Sequence, residues 1–157
     1  MSFQKMYNKL YPLLHQKRIP LVIHQGVRSF TDGEKTYFED INTYHKIADD
    51  TLESLADKLE GILETQTGFD SDISLSNGVL TVQLTPHGTY VINKQTPNRQ
   101  IWFSSPISGP KRYDFTKNTW IYKHDNSQLH NLLSEELTKA LKIPCDLSNC
   151  DYGKEDA

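Results

Sequence analysis

The sequence predicts an α+β domain: a two-layer sandwich with two helices packed on one face of an antiparallel sheet of about six strands. Three observations predict it. Residues 41–64 repeat apolar side chains at helical spacing. Residues 72–124 alternate apolar and polar side chains between turn residues, and residues 129–141 return to the helical period. Two amphipathic helices need an apolar surface, which a sheet with one apolar face supplies. At 157 residues the chain can bury an ordinary core. It holds no run of about 18 apolar residues, so no membrane span is expected.

In the first helical stretch Tyr44, Ala48, Leu52, Leu55, Leu59, Ile62 and Leu63 share an arc of roughly 120°, as a core face does. Asp49, Asp50, Glu53, Asp57, Glu60 and Glu64 occupy the opposite side. Like charges at i,i+4, such as Asp49/Glu53 and Glu53/Asp57, destabilise a helix by roughly 0.2–0.5 kcal/mol per pair. Only Lys46 and Lys58 dilute the row, so helix stability alone does not account for it.

The period switches to two at Asp72, where Asn77-Gly78 between alternating apolar residues signals a hairpin with a type I′ turn. Further strands are expected at 89–95, 100–105, 113–115 and 120–124. Turns separate them at 86–88, 96–99, 106–110 and 116–118. Ser127 suits the N-cap of the second helix, Pro144 a stop, and Cys145–Ala157 reads as a polar tail. Cys145 and Cys150, without a second pair or a nearby His, read as free thiols rather than a zinc or redox site.

The net charge of −3 conceals a division: residues 1–31 carry Lys5, Lys9, Lys17, Arg18 and Arg28 with no carboxylate, leaving −8 on the remainder. Residues 1–36 therefore read as a mitochondrial presequence or a flexible basic arm, and residues 37–157 as the folded domain.

Strand parity places Ile92, Ile101 and Phe103 toward the helices and Asn93, Gln95 and Trp102 on the open side. Trp flanked by side-chain amides is characteristic of protein interfaces. Between positions 94 and 123 six cations, Lys94, Arg99, Lys111, Arg112, Lys117 and Lys123, face one acid, Asp114, so the sheet is expected to be basic. A single-stranded nucleic-acid platform is disfavoured, since only one aromatic stands on that face and the domain is acidic.

The carboxylate row, extended by Glu39, Asp40, Asp70 and Asp72, is an oxygen-donor surface suited to hard cations, to a basic partner or to plain solvation. Carboxylates that splay from one helix predict weak, multiple, exchangeable metal sites. No Gly-rich phosphate loop, nucleophile–base constellation or cofactor fingerprint is present to suggest an enzyme. Metal oxidation on the row would be the one catalytic chemistry available.

Five segments, "GTYVINKQTPNRQIWFSSPISGPKRYDF", "WIYKHD", "LHNLLSEELTKAL", "YHKIADDTLESLADKLE" and "SNGVLTVQL", together resemble the frataxin family over residues 37–157. The resemblance implies a mitochondrial matrix protein that binds iron weakly, with Asp49, Asp50, Glu53, Asp57, Glu60, Asp70 and Asp72 on its iron-binding ridge. It implies partner-binding roles for Asn93, Lys94, Gln95, Trp102, Pro110 and Arg112. The partners would be a cysteine desulfurase, its small accessory subunits and an iron–sulfur scaffold protein, with the free protein a monomer. Allosteric activation of sulfur transfer, with iron chaperoning, is the first functional expectation. A ferroxidase and iron-storage role is the second. Lys58 and Gly61 depart from the family pattern in the second half of the helix.

Overall fold

A computed structural model describes Phe38, residues 40–68 and residues 70–155. The presequence or arm at 1–36 and Glu39 lie outside the described residues.

Helix α1 (Ile41–Leu63) begins where Asp40, in extended backbone, accepts hydrogen bonds from the amides of Asn42 at 2.6 Å and Thr43 at 2.9 Å. These bonds satisfy N–H groups that the first turn cannot. They also hold the Asp40 carboxyl below its ordinary range. Its buried stripe is Tyr44, Ala48, Thr51, Leu52, Leu55, Ala56, Leu59 and Leu63, so the apolar period identifies the core face.

The seven strands follow in chain order as an antiparallel meander: β1 (Asp70–Ser76), β2 (Val79–Thr85), β3 (Gly88–Gln95), β4 (Gln100–Ser105), β5 (Gly109–Thr116), β6 (Thr119–Tyr122) and β7 (Ser127–Gln128). Helix α2 (Leu129–Leu141) completes the sandwich. Asn77 (φ 51°) and Gly78 (φ 71°) both take positive φ, as the type I′ turn requires, and Lys117 and Asn118 do the same between β5 and β6. The sheet's inner residues, among them Leu80, Val82, Leu84, Tyr90, Ile92, Ile101, Phe103, Tyr113 and Trp120, form one core with α1 and with Leu129, Leu133 and Leu137 of α2.

Three details differ from the sequence reading. Ser127 is not an N-cap: its backbone pairs in β7 against Tyr122, Asp125 accepts from its amide at 2.9 Å, and Gln128 opens the helix without a side-chain cap. Pro110 lies inside β5 opposite Ser104 rather than in a turn. It is the second residue of the strand, near the end where a missing N–H is best tolerated. The segment after α2 is no free polar tail. Leu147 is wholly buried, its amide and that of Cys145 donate to Ser134 and Thr138 of α2, and the Asp151 amide donates to Ser54 of α1 at 3.1 Å. Thr119 of β6 donates to the Tyr152 carbonyl, and the Tyr152 ring packs edge-on against Phe115 at 5.3 Å. The segment thus bridges both helices and the sheet.

Buried polar groups tie the layers together. The Trp120 indole donates to Thr51 Oγ1 at 2.9 Å, and Thr51 in turn donates to the Ile47 carbonyl. Tyr44 donates its hydroxyl to the Gln100 carbonyl at 2.9 Å. Glu136 of α2, 4% exposed, accepts from Ser105 of β4. His130 is fully buried, and that burial pushes its imidazole down to about 4.

Leu147→Ala is expected to cost about 2–5 kcal/mol, the range for a large-to-small change in a filled core, read as a lower urea midpoint at unchanged slope. The His130 effect has a definite sign. Between about pH 6.5 and the value of about 4 the unfolded chain binds a proton that the folded chain refuses, so stability falls as pH falls through this window. His130→Asn is expected to flatten the stability–pH curve there by up to about one proton's slope, roughly 1.4 kcal/mol per pH unit, in denaturation series run at fixed pH.

Candidate interaction face and carboxylate ridge

The ladder brings Val79, Asn93, Trp102 and Arg112 into one cross-strand row over β2, β3, β4 and β5. Gln95 lies opposite Gln100 in the next row. Cross-strand partners share a face, so Asn93, Gln95, Trp102 and Arg112 stand together on the side of the sheet away from the helices. Pro110 shares that side through its pairing with Ser104, and it is buried.

Position on the open side does not mean exposure, and here the structure corrects the sequence reading. Trp102 is only 5% exposed and Asn93 8%. The Arg112 guanidinium lies 4.6 Å from the centre of the Trp102 ring, a cation–π contact that covers the indole. The Trp102 Nε1–H donates to Gln100 Oε1 at 3.1 Å, Gln100 Nε2 donates to Asp114 Oδ1 at 3.1 Å, and Lys123 pairs with Asp114 at 3.4 Å. Gln100 and Asp114 therefore hold the indole in orientation. Sequence reasoning did not place them in the site, although strand parity puts both on this face. The Asn93 amide nitrogen donates to the Lys94 carbonyl at 3.1 Å, while its buried Oδ1 has no hydrogen-bond partner among the described residues.

The expected basic face is likewise redistributed. Lys94 lies opposite Ile101, hence on the helix side, and its ammonium meets Asp49 of α1 at 2.6 Å. Lys111 lies opposite Phe103, nearly buried, and donates to the Ser108 carbonyl. Burial lowers its pKa. Arg99 donates to the Phe38 carbonyl at 3.2 Å, and Lys117 lies 3.8 Å from Glu155. Arg112 and Lys123 are the cations left beside Trp102 and Asp114. Summing charge along the chain counts both faces of a strand, and parity separates them.

On α1, Glu53, Asp57 and Glu60 are exposed, spaced four and three residues apart, so neighbouring carboxylates stand on one face. Asp49 is engaged by Lys94 and Asp50 by Lys46 at 2.5 Å. Asp70 and Asp72 pair with Thr85 and Gln83, on the side opposite the partly buried Ile73. The two β1 acids thus lie beyond the edge of the helix row rather than within it. No three His, Cys, Asp or Glu side chains come together to hold a metal ion among the described residues. The ridge offers all-oxygen donors, one or two per site, with water free to supply the rest, which suits hard cations.

A sequence model of the frataxin-like domain matches residues 38–143. The chain is 51% identical over 106 residues to the mitochondrial frataxin homolog of Drosophila melanogaster, covering 64% of this chain and 56% of that protein. It is 43% identical over 119 residues to that of Saccharomyces cerevisiae, covering 73% and 68%. It is 47% identical over 107 residues to the mitochondrial frataxin of Arabidopsis thaliana, covering 67% and 57%. The matched region spans 56% to 68% of these relatives' length. Among solved structures, yeast frataxin superposes with a TM-score of 0.60 at 37% identity, covering 76% of this chain and 98% of that one. A trimeric yeast frataxin complexed with ferrous iron gives 0.58 at 44% identity, covering 61% and 86%.

Removing the guanidinium that covers the indole tests the geometry of the open face. Arg112→Ala is expected to red-shift the Trp102 emission and make it more accessible to acrylamide, with a stability loss of about 0.5–1 kcal/mol. Trp120, wholly buried, should stay shielded.

Proposed function

The chain belongs to the frataxin family, and on that premise we propose that it is an iron-binding allosteric activator of iron–sulfur cluster assembly. In this reading it docks on a complex of cysteine desulfurase, small accessory subunits and scaffold protein and promotes sulfur transfer, while its ridge carries iron. Relatives in fly, yeast and Arabidopsis are named mitochondrial frataxins, and the chain is mitochondrial.

The observation that carries the docking role is the state of Asn93. Its Oδ1 is a buried acceptor without a partner among the described residues, set opposite Trp102 in the same row as Arg112. Leaving such a group unpaired costs about 1–3 kcal/mol, which a donor from a partner surface would recover. An indole and a guanidinium beside it are the side chains that most often dominate binding energy at interfaces. Lys94, turned to Asp49, has a positioning role between α1 and β3 in this reading rather than a contact role.

Iron in this reading is cargo. Glu53, Asp57 and Glu60, together with Asp50 when Lys46 swings away, supply hard oxygen donors in ones and twos, so iron(II) is held with much of its water and exchanges readily. A co-operating pair of ions for oxidation chemistry needs a shared, converging ligand set. The ridge has no such convergence among the described residues, which favours carriage over oxidation.

The test is the rate of cluster assembly by a desulfurase–scaffold complex with and without this chain. Trp102→Ala and Arg112→Ala should each remove most of the stimulation while iron(II) affinity by calorimetry stays unchanged. Loss of stimulation confined to Asp50→Ala combined with Glu53→Ala would transfer the function to the ridge.

A further inference from the structure

Strand β1 is the first strand of the meander and pairs only with β2, through an uninterrupted seven-residue register from Asp70↔Thr85 to Ser76↔Val79. Its two-residue turn, Asn77-Gly78, fixes which backbone groups point where. The residues flanking such a turn exchange both hydrogen bonds, and the pattern then alternates. Ser76, Ser74, Asp72 and Asp70 therefore bond to β2, while the N–H and C=O groups of Ser71, Ile73 and Leu75 point outward. No strand among the described residues pairs with them.

Exposed edges are normally blunted by Lys, Pro, a bulge or a very short strand, because they template pairing with other chains. β1 has none of these devices. It is seven residues long, unbulged and free of Lys and Pro, and its second half, Ile73-Ser74-Leu75-Ser76, is uncharged, with Leu75 37% exposed. Only Asp70 and Asp72 carry charge, and both stand on the sheet face opposite Ile73 and Leu75.

We propose that the outer edge of β1 is a strand-addition site that takes an extended, Lys/Arg-rich segment of a partner protein as an eighth strand. Main-chain bonds to Ser71, Ile73 and Leu75 give the register, an apolar side chain covers Leu75 on one face, and the cations lie along Asp70 and Asp72 on the other. The charge selects this occupant over a second copy of the chain, whose β1 would bring a second row of like charges against the first. The site lies along the free edge of β1, three strands away from Trp102 on β4, and does not depend on iron or desulfurase binding.

The test uses the full chain and three capped seven-residue peptides: alternating Lys and Val, the same sequence N-methylated on every second residue along one edge, and alternating Glu and Val. Amide NMR and hydrogen exchange should show the Lys/Val peptide slowing exchange at Ser71, Ile73 and Leu75 by at least ~10-fold. The N-methylated peptide should bind at least ~10-fold more weakly, since losing about 1.4 kcal/mol of main-chain bonding is a factor of ten. The Glu/Val peptide should not bind. On the protein side Leu75→Pro removes an outward donor but no bond to β2, and should weaken binding equally. Asp70→Asn with Asp72→Asn, which leaves every ladder bond intact, should weaken it and reduce its salt dependence, so the test does not rest on a proline variant. Equal binding of the N-methylated peptide would reduce the effect to charge attraction and overturn the proposal. So would chemical-shift changes centred on Asn93 and Trp102, no binding at about 1 mM, or dimerisation of the chain through β1 without peptide.

Discussion

The structure depends on one constraint: every strand from β2 to β6 must deliver alternate residues to a single core shared with two helices. Leu80, Val82 and Leu84 on β2, Tyr90 and Ile92 on β3, and Ile101 and Phe103 on β4 are all essentially inaccessible. A slip of one residue on β4 would exchange Ile101 and Phe103 for Gln100, Trp102 and Ser104, placing two more polar groups against the helices. The connections that flank β4 hold its register: the turn Thr96–Asn98 ends on Arg99 at φ 51°, and beyond the strand the Ile107 and Ser108 amides donate to Ser105 Oγ. Directional bonds from Trp120 to Thr51 and from Tyr44 to the Gln100 carbonyl then fix how α1 sits on the sheet.

The same alternation that fills the core creates the open face. Residues not delivered to the helices form rows of their own, and the row through Asn93, Trp102 and Arg112 closes over itself by stacking and hydrogen bonding. The carboxylate ridge lies on the other side of the core, along the outward surface of α1. In the proposed function this separation lets a partner assembly and a hydrated cation be bound at once, because neither surface needs to move for the other to be occupied. Lys94 is the exception: its ion pair with Asp49 crosses from β3 to the helix, so one member of the ridge is tied to the sheet.

Beneath α2 the core is less apolar than the rest. Glu136 accepts from Ser105, Lys111 lies nearby, and the Tyr90 phenol is pushed up to about 12, by burial first and then by the Glu136 charge. Burying a carboxylate is costly unless donors and an opposite charge surround it, and here β4 supplies the Ser105 hydroxyl and β5 the Lys111 charge. The arrangement specifies where α2 docks, which a uniformly apolar contact would leave free to slide.

How much of this was legible in the sequence follows from the range of the forces involved. The sequence by itself determined the helix periods, the strand alternation, the Asn77-Gly78 turn and the side of the sheet on which Trp102 stands, because these arise between residues a few positions apart. It also marked out the acidic row of α1, whose spacing is that of one helix face. Only the tertiary structure decided that Trp102 lies under Arg112, that Gln100 and Asp114 orient it, that Lys94 belongs to Asp49, and that Leu147 anchors the segment after α2. Each of these is a contact between distant positions, set by the register of neighbouring strands and by which gaps the two helices leave open. Polar residues such as Thr51, Glu136 and His130 read as surface in any local window, and the partners or space that let them be buried come from elsewhere in the chain.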